Sequence, residues 1–172
     1  MLINIEICRN TCYYIVKSFT AKGIDSAMEN TKNDVPITRQ QIYDSIIGDG
    51  ADEVNLVVGR LITNLGFKSK LLGTMYLPDA ILYRYDNSDV VRVGMTNRTY
   101  VAVADKHSAT ANRVERAIRN AIINCYHFGS LMSFNNLAQA QLISSQYAPT
   151  NGEFMSIVVN WLQLEKQSGH IR

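Results

Sequence analysis

The chain has 172 residues, 47% of them hydrophobic, which is enough for one domain with a real core plus an appendage. Seventeen Lys and Arg against fifteen Asp and Glu leave a net charge of +2, so bulk charge makes no case for a polyanionic partner. Three cysteines cannot all pair within one chain, and no run approaches the ~18 apolar residues of a membrane span; Met1 to Tyr14 is broken by Glu6 and Arg9, unlike a signal peptide, so a reducing, cytoplasmic setting is expected.

In chain order, Ile3 to Phe19 mixes apolar and β-branched residues without a clean period, leaving helix and strand both open. Thr38 and Gln41 have capping-box spacing, which predicts a short helix over Arg39 to Ile47 ended by Gly48. The glycines at 48 and 50 suggest a boundary near Gly50, with residues 1–50 as an extension and 51–172 as the main domain. Beyond it, Val54, Leu56, Val57, Val58, Leu61, Ile62 and Leu65 predict an apolar helical face closed by Gly66. After a loop, Leu77 to Tyr85 reads as a helix with Pro78 in its first turn, and Val90 to Val93 carries the clearest strand signal. The whole predicts an all-α fold of short helices.

Residues Tyr100 to Phe128 read as a short helix, a break at His107 to Thr110, and a longer helix beginning at Ala111 behind a Thr110 cap. From Lys106 to Ser130 there are four basic residues and one acidic one, a local excess larger than that of the whole chain. At 100° per residue, Asn112, Arg113, Glu115, Arg116, Arg119 and Asn120 share an arc of roughly 160°. Val114, Ala117, Ile118, Ala121, Ile122 and Cys125 fill the opposite side. Arginine pairs with guanine, glutamate accepts from the cytosine amino group, and asparagine pairs with adenine, so the polar arc holds the groups that major-groove readout needs. A merely solvated face has the same pattern.

The run TANRVERAIRNAI, Thr110 to Ile122, resembles the recognition helix of the C-terminal effector domain of the sporulation regulator stage-zero sporulation protein A. LITNLGFKSKLLGTMYLPDAI is similar to that family's opening helix, glycine-containing loop and second helix, matching at Gly66, Gly73, Tyr76, Leu77, Ala80 and Ile81. PTNGEFMSIVVNWLQLE resembles its closing loop and last helix at Pro149, Thr150, Asn151, Glu153 and Phe154. The similarity runs from Asp52 to Gln167.

The resemblance implies a bundle of about six helices containing a helix-turn-helix, and sequence-specific binding of double-stranded DNA at a TGTCGAA-like box. It assigns base readout to Arg113, Glu115 and Arg116, and phosphate or flanking contacts to Lys106, Thr110, Asn112, Arg119 and Asn120. Asn112 and Asn120 stand where the family commonly has serine and histidine. It further implies a homodimer on repeated boxes, and RNA polymerase or a related regulator as partner. The family's receiver domain of about 120 residues has no counterpart in the roughly 50 residues before the match, so control by its own receiver phosphorylation is not expected, and that segment is assigned to dimerisation or partner binding. The alternative is a receiver-less interaction module that tunes a full-length regulator.

Other candidates carry less. Cys8 and Cys12 lie four apart as half a metal site with nothing to complete it, so no metal and no cofactor is expected. No Ser/His/Asp set or phosphate loop stands out, and no enzyme is expected. His107 and His127 read as structural, and Trp161 with Phe154, Ile157, Val158 and Leu162 reads as the buried stripe of a helix.

Overall fold

A computed structural model describes residues 38–48, 53–88 and 95–172. The segments Ile3 to Phe19 and Val90 to Val93, the Cys8/Cys12 pair and the boundary residue Gly50 lie outside them. Among the described residues there are seven helices and no strand: α1 (Arg39–Ile47), α2 (Val54–Asn64), α3 (Leu72–Asp86), α4 (Met95–Lys106), α5 (Ala111–Phe128), α6 (Ser133–Ala138) and α7 (Asn151–Gln167). The all-α architecture is the expected one, and α2 to α7 supply its six helices. No described helix is long and apolar enough to cross a membrane.

α1 forms as its capping box directs: the Thr38 hydroxyl accepts from the Gln41 amide while the Gln41 side chain accepts from the Thr38 amide. It buries Ile46 and Ile47 against α2. On its other side Arg39 Nε donates to the Asn136 carbonyl at 2.9 Å, meeting an orphan acceptor at the end of α6, and the Tyr43 hydroxyl donates to Glu165 on α7. The compact unit accordingly begins at Ile37, ahead of the glycines near residue 50.

α2 buries Val54, Val57, Val58, Leu61 and Ile62, with Leu65 at its cap. Leu56 is the exception: it lies 200° from Val54 around the helix and is 51% exposed. The helix ends in a Schellman turn, with the Gly66 amide on Thr63 O (3.0 Å), the Phe67 amide on Ile62 O (3.3 Å) and Gly66 at φ 77°.

α3 begins five residues before the expected Leu77, so Pro78 lies inside the helix instead of in its first turn. An interior proline removes one ladder bond at a cost of roughly 3 kcal/mol. Burial of Gly73, Tyr76, Leu77, Ala80 and Ile81 along one face outweighs that loss. Gly73 decides the crossing with α5: a Cβ placed there would lie 2.0 Å from Ala117 O and 2.8 Å from Ala121 Cβ, so only glycine lets the two backbones come this close.

α6 was not anticipated from the sequence. Its six residues show no periodic stripe, and its place is fixed by Phe134, edge-on to Trp161 at 5.8 Å between ring centroids, and by buried Asn135. The Asn135 amide donates to Ile143 O (2.8 Å) and accepts from the Leu142 and Ile143 amides, pairing backbone groups of the irregular stretch before α7. α7 starts at a second capping box, Thr150 with Glu153, and buries Phe154, Met155, Val158, Val159, Trp161 and Leu162. The stripe around Trp161 is core, as its spacing indicates.

Candidate nucleic-acid interface

α4 and α5 meet through the four residues His107 to Thr110. The last turn of α4 closes with the Ala109 amide on Ala104 O (2.9 Å) and Ser108 left-handed at φ 50°, a glycine-type cap adopted by serine. α4 starts at Met95, five residues earlier than the sequence suggested, and buries Thr99, Tyr100, Val103 and Ala104, whereas Val101 is half exposed. Thr110 caps α5, its hydroxyl accepting from the Arg113 amide at 3.3 Å.

The turn is pinned from α3. Asp79 Oδ1 accepts from Lys106 Nζ at 2.7 Å, Asp79 Oδ2 lies 2.6 Å from His107 Nε2, and the His107 ring packs on Tyr76 at 4.9 Å. Burial pushes the Asp79 carboxyl up, but hydrogen bonds from Lys106 and His107 outweigh it and hold the group below the usual carboxylate range. His107 is therefore a fastener of the turn, and Lys106 has a carboxylate partner.

Along α5, Val114, Ile118, Ala121, Ile122 and Cys125 are buried. Burial raises the Cys125 thiol to about 12, and its Sγ lies 3.1 Å from Leu65 O. On the opposite side Asn112, Arg113, Glu115, Arg116 and Asn120 are all exposed, and Arg119 is half buried. Arg119 departs from the free surface because its guanidinium donates to Pro149 O. Next to it, buried Asn151 donates from Nδ2 to the Tyr100 hydroxyl (2.9 Å) and to Glu115 O (3.0 Å), binding the tip of α7 to α4 and to the second turn of α5. The recognition-type helix is thus held at one edge by α3 through Gly73 and at the other by Pro149 and Asn151.

Residues 58–162 match the family described as Sporulation initiation factor Spo0A C terminal, which is more than half of the chain. The chain belongs to this family. The Spo0A C-terminal family is that of the DNA-binding effector region of a sporulation regulator. Within the family frame, the structure places the sequence-predicted residues in three groups. Arg113, Glu115, Arg116, Asn112 and Asn120 share the open arc; Thr110 is spent on capping; Lys106 and Arg119 are tied to Asp79 and Pro149.

Sequence reasoning missed the supports. Asp79 pairs with groups 27 and 28 residues away, and Asn151 reaches Glu115 across 36 residues; no local spacing rule marks either. Asn151 stood out only as a position matching the family's closing loop, which carries no word of its contact with α5.

Proposed function

We propose that this protein is a sequence-specific regulator of transcription that inserts the N-terminal half of α5 into the major groove of double-stranded DNA. Arg113, Glu115 and Arg116 would read base edges there, with Arg as the bidentate guanine reader and Glu115 as acceptor for a cytosine amino group. Thr110, Asn112 and Asn120 flank them, and the donors that Lys106 and Arg119 retain lie towards phosphates. One observation carries the reading: three charged and two amide side chains are exposed together on one arc of a helix whose other face buries Val114, Ile118, Ala121, Ile122 and Cys125. The preferred site is a TGTCGAA-like box. Pairing of two copies on repeated boxes, with residues 1–50 contributing to dimer or partner contacts and RNA polymerase or a related regulator as the downstream partner, completes the proposal.

The experiment is selection of bound sequences from a random DNA pool at stated salt, followed by titration of Arg116→Ala. The selected pool should converge on one box, and the substitution should cost about 1–3 kcal/mol on it while relaxing a single base pair. Equal binding of the box and a scrambled duplex by the intact protein would refute the reading.

A further inference from the structure

The sequence between α2 and α3 contains Lys68-Ser69-Lys70, two cations within three residues and no acid. The fold holds this loop in one shape. The Lys68 carbonyl accepts from the Leu71 amide (3.0 Å) and from the Thr74 hydroxyl (2.9 Å), and Phe67 is buried. Lys68, Ser69 and Lys70 remain exposed. None of these backbone bonds uses a lysine side chain, so the local architecture does not depend on the charges.

The loop follows one edge of α5. At one end Leu65 O accepts from the Ser130 amide (2.9 Å), and Lys68 Nζ stands 5.0 Å from the centroid of the Phe128 ring. At the other end Gly73 abuts Ala117, the residue after Arg116, with Lys70 only three positions upstream. Lys68 therefore stands at the C-terminal end of α5, and the chain reaches the turn that follows Arg116 at Gly73. Asp79, the acid of α3 nearest in sequence, is already bound to Lys106 and His107. Neither Lys68 nor Lys70 has a carboxylate partner among the described residues.

We propose that Lys68 and Lys70 form a phosphate-contacting site that engages the DNA backbone bordering the groove entered by α5. An 18-residue helix is about 27 Å long and the major groove about 12 Å wide, so when the first two turns reach base edges, the later turns and their flanking loop lie over the bordering strand. Two exposed ammonium groups with no carboxylate partner among the described residues are suited to that strand. The proposal rests on the DNA-reading assignment of α5 and adds a sequence-independent anchor to it.

The test is fluorescence-anisotropy titration of the full chain on a duplex bearing the family box and on a scrambled duplex, across a salt series. Lys68→Gln/Lys70→Gln should flatten the plot of log affinity against log salt by about 1.8, two contacts at roughly 0.9 each. The loss should be equal on both duplexes and leave the box preference unchanged, and Lys68→Arg/Lys70→Arg should restore the slope. A Gln variant with the wild-type melting temperature, slope and affinity would overturn the site. Arg116→Ala in the same series separates the two ideas: retained box preference in that variant counts against base reading by α5 and leaves the lysine slope standing. Absence of any DNA binding by the wild-type chain would overturn both.

Discussion

Replacing Gly73 with alanine should destabilise the protein, against the usual preference of helices for alanine. In an exposed helix interior, Gly→Ala gains about 0.8–1.0 kcal/mol. At position 73 the added methyl would sit 2.0 Å from Ala117 O and 2.5 Å from Ala117 C, both backbone atoms of α5 that no rotamer change can move. Relief requires the two helices to separate by more than an ångström over their contact, and overpacking of this kind costs about 3 kcal/mol at the upper end of its usual range. The difference is a net loss of about 2 kcal/mol, or roughly 6–10 °C in melting temperature for a unit of this size. Gly59→Ala is the matched control, because nothing lies within 4 Å of its added Cβ and it should gain about 0.5–1 kcal/mol. Urea unfolding followed by far-UV circular dichroism should move the two midpoints in opposite directions with unchanged slope. If Gly73→Ala were as stable as Gly59→Ala, the α3–α5 contact would not be what sets the position of α5.

Thr110→Ala removes the hydroxyl that caps α5 and should cost about 1 kcal/mol in the same unfolding assay; Thr110→Ser should recover most of it. Asp79 has its folded pKa depressed below the ordinary 3.8, so its contribution is present above that value and is lost as pH falls through the lower folded value. Asp79→Asn should therefore be less stable than wild type at neutral pH and converge with it under acid, as melting curves from pH 7 down to pH 2 would show. Cys125, with its thiol raised to about 12, should resist alkylation at pH 8 in the native protein and react once urea unfolds it, as peptide mass spectrometry would show.

Local signals were readable where physics is local. The Thr38 capping box, the Thr110 cap, the Gly66 terminator and the buried stripes of α5 and α7 each depend on residues within one or two turns, and each forms where its spacing places it. Boundaries went astray where tertiary packing overrides local preference. Pro78 suggested a helix start, yet α3 extends six residues upstream because Gly73 and Tyr76 have a partner in α5 and His107 that the local sequence does not display. Leu56 seemed part of an apolar face because its neighbours are apolar, although its angle sets it opposite them. α6 was missed because six residues with one buried amide have no period to detect.

The open arc on α5 was legible as composition, but its orientation was not, since orientation is decided at the helix edges. Gly73 fixes one edge by steric exclusion, and Asn151 with Arg119 fixes the other by hydrogen bonds to Glu115 O and Pro149 O. These two constraints act on opposite sides of the same helix, so neither alone determines its rotation about its own axis. On the proposed DNA reading, substitutions in α3 or at the tip of α7 should therefore change base preference and folding stability together. Substitutions at Arg113 or Arg116, which hold nothing in place, should change DNA affinity and base preference and leave folding stability unchanged.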